Sequence, residues 1–264
     1  MFYTGAPQNT TRVSIDNNLT KQAFELMKEN SIDIKNIVVH APYIVNLANK
    51  TNMNFNVSFM KEEIKRTEAL GVSMITIHPG SHVNLGKEIG LKNIVESLNK
   101  IITKDQKVLV LLESMSGMGS ELGSSFEELK YIIDNVKEKI GVCLDTCHIF
   151  NAGYDINNFL DEFDKIIGLE YLKCVHINDS KNIIGSKKDR HENLGFGHIG
   201  FDTLINLIYN PKLKDVPKIL ETPYVTLNDN TKERIYPPYE KEIAMIKNRK
   251  FNENLITEIR DNDS

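Results

Sequence analysis

The sequence has no surplus of basic charge, few cysteines and no long apolar run, and each shortage removes a class of protein. Lys+Arg number 32 against 36 Asp+Glu, giving a net charge of −4 and a pI near 6.0. Proteins that coat nucleic acid through bulk electrostatics carry an excess of Lys and Arg, so any DNA contact by this chain has to be local. The three cysteines, Cys143, Cys147 and Cys174, are an odd number in a chain without a secretion signal, which argues against a disulfide framework and for reduced thiols. No stretch approaches the roughly 18 apolar residues that span a bilayer. The start, MFYTGAPQNTTR, has neither an apolar signal core nor a cleavage site, so the expectation is a soluble, cytoplasmic protein. Linkers, repeats and low-complexity segments are missing too. The 264 residues, 41% of them hydrophobic, are therefore read as one domain of the size typical of a (β/α)8 barrel, with a polar tail from about residue 255 that ends in a frayed IRDNDS.

Short β-branched runs alternate with amphipathic stretches, the pattern of βα units feeding a parallel sheet. Helices are expected in LTKQAFELMKEN, VSFMKEEIKRTEALG, EIGLKNIVESLNKII, SFEELKYIIDNVKEKI, INNFLDEFDKII and FDTLINLIYN. In SFEELKYIIDNV apolar residues recur at three and four positions, as one buried helical face requires. The strands between them read as nearly continuous apolar runs, as they should when both faces are covered. Met1 to Thr4 and the runs ending at His40, His78, Glu113, Asp145, His176 and Glu221 give seven strands, where a closed barrel needs eight. Either one strand hides in a weaker pattern or the chain starts inside the barrel.

Imidazoles and carboxylates close most of those strands. His40 ends NIVVHAP, His78 ends SMITIHPG, Glu113 ends KVLVLLES, Asp145 ends GVCLDTCH, His176 ends CVHIND and Glu221 ends KILETP. His148 follows Asp145 by three residues, and Asp189 with His191 sits in KKDRHENLG. Neutral imidazole and carboxylate are the usual zinc ligands, and successive strand ends of a parallel barrel converge on one face. Nine such donors exceed one tetrahedral site. With Glu113 bridging, they suit two or three ions that activate water and stabilise a leaving oxygen, which makes phosphodiester cleavage the leading reaction class. Plainer readings stand beside this one: a lone histidine at a strand end is usually structural, and Asp145 with His148 reads equally as a helix cap and a surface histidine. His82 and His198 fit no ligand role. Cys143 and Cys174 lie two residues before Asp145 and His176, hence on the same strand face, and are read as small buried core residues rather than as thiolate ligands. Lys187, Lys188 and Arg190 form a short basic cluster beside Asp189 and His191, and Arg190 is a candidate for a local DNA contact.

HAPYIVNLAN, HPGSH, GVCLDTCHIFNAGYD, VHINDSK, DRHENLGFGHIG and LETP together resemble endonuclease IV, the zinc-dependent apurinic/apyrimidinic endonuclease family, from about Phe2 to about residue 250. The resemblance implies a TIM-type barrel, three zinc ions, and cleavage of double-stranded DNA on the 5′ side of an abasic site to leave a 3′-hydroxyl. Removal of 3′ blocking groups and a monomeric state are implied as well. By the same resemblance, His40, His78 and Glu113 hold the first zinc. Glu113 bridges to the second with Asp145, His176 and Glu221, and the third takes His148, Asp189 and His191. Metal-activated water attacks phosphorus in that family, so Glu113 is the catalytic residue expected here and no side-chain nucleophile is needed. Tyr43 and Ile44 occupy a loop that wedges into DNA at the lesion, selecting damage rather than sequence. Gln8 lies in a loop where some relatives hold a DNA-binding arginine. Family members begin with a further strand and helix before the first strand here, so the chain is expected to be a barrel lacking its first βα unit. Two alternatives follow: a zinc- or DNA-binding remnant without turnover, and a metal-dependent sugar isomerase on the same barrel.

Overall fold

The computed structural model describes residues 1–262. Six parallel strands form one sheet: β1 (Val39–His40), β2 (Met74–Ile77), β3 (Leu109–Glu113), β4 (Gly141–Asp145), β5 (Leu172–Ile177) and, after two short strands outside it, β8 (Lys218–Leu220). From β1 to β5 each strand pairs with the next in sequence, and β8 joins the far side of β5. The outer strands β6 (Asp179–Ser180) and β7 (His191–Glu192) pair as an antiparallel ribbon, as do β9 (Val225–Thr226) and β10 (Arg234–Tyr236).

Helices cross between the strands: α1 (Asn17–Glu29), α2 (Met53–Ala69), α3 (Lys87–Ile101), α4 (Phe126–Asn135), α5 (Thr146–Ala152), α6 (Phe159–Ile166), α7 (Phe201–Ile208), α8 (Tyr239–Asn248) and α9 (Leu255–Asn262). All six expected helices are present. α4 shows how sequence makes one: Ser125 caps it by accepting from the Glu128 N–H, Glu127 and Glu128 sit in its first turn, and Phe126, Leu129, Ile132 and Ile133 bury one face. It stops at Asn135, short of the expected Ile140, because Val136 turns to an extended backbone and leads the chain toward β4.

Alternation along the strands separates two apolar layers. Val39, Ile75, Ile77, Val110, Leu112, Val142, Leu144, Val175 and Ile177 join the helices in the main core. Val38, Leu111, Cys143 and Cys174 form a second cluster on the other face, flanked by Met74, Leu109 and Ile219. This inner layer is what the continuous apolar runs announced, and the two cysteines lie in it as expected. The residues two positions further along the same faces are His40, Thr76, Glu113, Asp145, His176 and Glu221, so the sheet delivers its polar ends directly above an apolar floor.

Two expectations need correction. The strand expected over Met1 to Thr4 shrinks to one parallel bridge, Phe2 to Val39, with the Phe2 N–H donating to Val38 (3.3 Å) and the His40 N–H to Phe2 (2.9 Å). Beyond Phe2 the chain leaves the sheet and is held on α2 instead: Glu63 accepts from Thr4 Oγ1 and Arg12 Nε, and Arg66 donates to the carbonyls of Thr4 and Val13. A cavity of about 920 Å³ separates Met1, Phe2 and Tyr3 from Lys218, Ile219, Leu220 and Glu221, leaving the sheet curled but open between its two edges. The tail also departs from its reading as a frayed end. It forms α9, because Leu255 and Ile259 are buried at i, i+4 spacing and Arg260 donates to Thr226 on β9. Asp263 and Ser264, the last of the residues expected to fray, lie outside the described residues.

Candidate metal centre

Every expected ligand comes to one end of the sheet. His40, Glu113 and Asp145 are the last residues of β1, β3 and β4; His78 and Glu221 follow β2 and β8 by one residue; His176 is the penultimate residue of β5. Parallel direction fixes this convergence, since all strands point their carboxyl ends the same way. Asp145 caps α5 by accepting from the His148 N–H at 3.0 Å. That cap turns His148 inward, so the alternative of a surface histidine fails: His148 is buried. Asp189 and His191 arrive from the β6–β7 loop, with His191 opposite Ser180 in the ribbon.

Glu113 is the hinge of the arrangement. Its Oε2 faces His40 Nε2 (2.8 Å) and His78 Nε2 (3.3 Å), while its Oε1 faces His176 Nδ1 (3.3 Å) and His148 Nδ1 (3.4 Å). His176 Nδ1 also lies 2.9 Å from Glu221 Oε2 and 3.8 Å from Asp145 Oδ2. On the outer side, Asp189 Oδ1 lies 3.2 Å from His148 Nε2 and 3.4 Å from His191 Nε2. Among the described residues four sets of donor atoms lie mutually within 4.8 Å, and three of them are built from the expected ligands: His40, His78 and Glu113; Glu113, Asp145, His176 and Glu221; and Asp145, His148 and His191, the last with Asp189 against it; the fourth joins His176 to Cys143 and Cys174.

Backbone carbonyls fix several of the imidazoles. Nδ1 of His40 donates to Ala41 O (2.6 Å), that of His148 to Ser114 O (2.8 Å) and that of His191 to Glu221 O (3.2 Å). A carbonyl only accepts, so each ring carries a proton on Nδ1 and presents Nε2 toward the centre, the nitrogen a cation would take. Nε2 of His148 and of His191 are buried and make no well-directed hydrogen bond, although Asp189 Oδ1 stands 3.2 and 3.4 Å away, as expected of donors that converge on a cation rather than on one another.

The electrostatics agree. Burial alone would raise the Glu113 carboxyl, but His176, His78 and His40 hold it well below the usual carboxylate range. Burial opposes ionisation of Glu221 as well, yet His176 pulls it down to about 2. His148 and His176 are lifted well above the usual imidazole value; against the lowering effect of burial, Asp145 leads on His148 and Cys143 with Glu221 on His176. Packed carboxylates at this depth demand positive charge, which without metal His148 and His176 meet by holding protons more tightly.

A cavity of about 520 Å³ opens above the centre, lined by Tyr3, Tyr43, Met115, Met118, Glu121 and seven of the nine donors, with Asp145 and His176 beneath. Tyr43 (49% exposed) lines it, whereas Ile44 (43% exposed), next in the chain, does not; neither is buried by a neighbouring loop. Gln8 and Arg190 are exposed and do not line the cavity; Arg190 donates to the carbonyl of Asp189 at 2.7 Å. His82 and His198 stay outside it.

Several functional residues escaped the sequence reading. Tyr3 stacks obliquely on His40, ring centres 5.2 Å apart. Asn178, two residues past His176 and so on the same face, donates to Asp145 Oδ2 (2.6 Å) and accepts from the Glu221 N–H (2.9 Å); its place in HIND was the available signal. The buried Asp179 accepts from the N–H groups of Ser180, Gly195, Gly197, Ile199 and Gly200, and so closes the loop that carries Asp189 and His191. The buried Glu242 on α8 accepts from Thr222 Oγ1, Asn193 Nδ2 and the Leu194 N–H, bracing the segments after Glu221 and His191. No local spacing marks these two.

Residues 1–249 match the family described as "Xylose isomerase-like TIM barrel". A "Probable endonuclease 4" of Geobacillus sp. (strain WCH70) is 51% identical over 272 aligned positions, covering 100% of this chain and 90% of that protein. Among solved structures, endonuclease IV from Thermus thermophilus superposes with a TM-score of 0.72 at 31% identity, over 84% of this chain and 81% of that one. A D-tagatose 3-epimerase-like protein, at 23% identity and a TM-score of 0.65 over 94% of this chain and 85% of that one, shares the fold. With half of its residues identical to such a relative over the full length of the chain, the chain belongs to the endonuclease IV family.

Proposed function

We propose that this protein is an apurinic/apyrimidinic endonuclease that hydrolyses the backbone of double-stranded DNA 5′ to an abasic site, leaving a 3′-hydroxyl, and also removes 3′ blocking groups. The observation that carries the reading is Glu113, whose two carboxylate oxygens each face a different pair of imidazoles, the disposition a bridging ligand needs. We assign His40, His78 and Glu113 to one zinc, Glu113, Asp145, His176 and Glu221 to a second, and His148, Asp189 and His191 to a third. The donor set is nitrogen and carboxylate oxygen throughout, which zinc accepts. Zinc bound there supplies Lewis-acid polarisation of the phosphoryl oxygens and activation of water at neutral pH.

The chain's own residues supply geometry. Ala41, Ser114 and Glu221 carbonyls orient three imidazoles; Asn178 sets Asp145 against Glu221; Tyr43 at the cavity and its exposed neighbour Ile44 enter the duplex where stacking is already lost. Arg190 and Gln8 contact the DNA backbone locally, in keeping with a net charge of −4. The protein works as a cytoplasmic monomer. The sugar-isomerase reading rests only on a shared fold.

The test is incision of a duplex oligonucleotide bearing one synthetic abasic site, by the 264-residue chain after metal removal and again after zinc is restored. Nicking on the 5′ side that returns with zinc is the expected result. Folded, zinc-loaded protein that leaves the duplex intact would mark a remnant that binds without turnover.

A further inference from the structure

The thiols of Cys143 and Cys174 have no part in the proposed reaction. β4 and β5 set them side by side as paired positions of the parallel ladder, both fully buried, two residues below Asp145 and His176 on the inward face. The two sulfurs and a ring nitrogen of His176 lie within 4.8 Å of one another. His176 Nδ1 is engaged by Glu221 and Glu113, whereas its Nε2 is buried with no well-directed hydrogen bond, the two thiols on this side being close enough to act on the ring. The surrounding side chains, Val38, Leu111 and Ile219, offer no polar donor.

We infer that Cys143, Cys174 and His176 Nε2 form a second metal site, sulfur-rich and beneath the nitrogen and oxygen centre, that takes a soft thiophilic cation of the cadmium or copper(I) class. Zinc–sulfur bonds are about 2.3 Å and those to a larger soft ion longer, so two sulfurs on one three-coordinate ion stand roughly 4 Å apart, and donors already within 4.8 Å of one another need little movement to reach it. Soft thiolates select such ions over harder ones. On binding, each thiol gives its proton to solvent as its sulfur–metal bond forms, and the ion neutralises thiolates that an apolar layer would otherwise disfavour. The open seam of the sheet gives a route: the cavity between the chain start and β8 reaches Ile219, which packs against this cluster.

Occupancy of the two sites is antagonistic, a consequence that rests on the proposed function. A neutral imidazole has one lone pair. When His176 Nε2 ligates the soft ion, Nδ1 holds the proton and is withdrawn from the zinc shared with Glu113, Asp145 and Glu221. Soft metals thereby disable the centre from below, without entering the substrate cavity.

The test titrates metal-free protein with Cd²⁺ alone and follows the ultraviolet charge-transfer absorption of cadmium thiolates. The band is expected to saturate at one sulfur-bound Cd²⁺ per chain, to persist in Cys147→Ala, and to vanish in the double variant Cys143→Ala, Cys174→Ala. No band in the unmodified protein, or a band that survives in the double variant, overturns the site. Because the unmodified chain gives this answer by itself, poor folding of the variant does not protect the idea. In a second arm, zinc-loaded unmodified protein and double variant incise the abasic duplex with added Cd²⁺. Weaker inhibition of the variant supports the antagonism, and equal inhibition sinks it. Activity in zinc alone reports on the proposed function separately.

Discussion

Glu113 concentrates the chemistry of the centre in one side chain. Replacing it by Gln keeps the shape but exchanges one oxygen for an NH₂ that cannot ligate, so the two inner donor sets lose their common member. Glu113→Gln is expected to lower incision by at least about two orders of magnitude, in line with the several kcal/mol a metal contributes to transition-state stabilisation, while circular dichroism stays native; turnover near that of the unmodified protein would refute the bridging assignment. The ionisation of the metal-free centre sets a pH window. Glu221 is depressed in the folded protein from 4.5 to about 2, so its contribution to stability is complete above pH 4.5 and is lost as pH falls toward 2. His148 and His176 are raised above 6.5, so theirs is complete below pH 6.5 and is lost as pH climbs through their folded values. Chelator-treated protein should therefore melt at its highest temperature between about pH 4.5 and 6.5, and zinc should move that optimum upward by replacing the protons. Thermal scans across pH check this, and a metal-free optimum above pH 8 would contradict it.

Among the elements, the loop from Asp189 to Gly200 depends most on a residue far from the cavity in sequence logic. Five backbone N–H groups converge on Asp179, and a Cβ on Gly197 would stand 2.4 Å from Ser180 O and 2.5 Å from Asp179 Oδ1, so the carboxylate and the glycine fit each other. Asp179→Ala leaves those donors unpaired and is expected to cost roughly 3 kcal/mol or more, read from urea unfolding, with new protease cuts confined to residues 189–200; a change under about 0.5 kcal/mol would show the loop to be held by other contacts. α5 explains why Asp145 and His148 were ambiguous from sequence. The helix cap of the plainer reading is real, and it is the cap that aims His148 at Glu113, so the structural and site geometries are one. α9 looks like a polar tail in sequence because polar residues outnumber apolar ones in LITEIRDN, whereas two buried residues one turn apart and an anchored arginine suffice to dock a short helix.

For the whole molecule, strands β1 to β5 and β8 gather carboxylates and imidazoles at one end of a sheet whose edges stay unjoined across the cavity beside Phe2. Cations that tie these strand ends together stabilise the native state alone, by about 4 kcal/mol when free metal exceeds its dissociation constant a thousandfold. Chelation is accordingly expected to lower the melting temperature by several degrees and zinc to restore it, with differential scanning calorimetry as the measure; an unchanged melting point would show that the open sheet needs no metal. Much of this was legible in the sequence. Apolar runs of strand length ending in His, Glu or Asp announced parallel strands with their chemistry at the carboxyl ends, because strand period and strand direction are local properties that each segment carries by itself. The same runs assigned Cys143 and Cys174 to the inner face. Other features depended on which segments meet. The pairing of Cys143 with Cys174 under Nε2 of His176, the clamps of Asp179 and Glu242, the reach of Asn178 to two strands and the reduction of the first strand to a single bridge arise from register and packing between distant parts of the chain. The sequence by itself determined the elements, their order and the donors at their ends. Only the tertiary structure decided which donors share an oxygen of Glu113, which nitrogens are left without a well-directed hydrogen bond and where the sheet stays open, because those depend on distances between residues that no sequence spacing encodes.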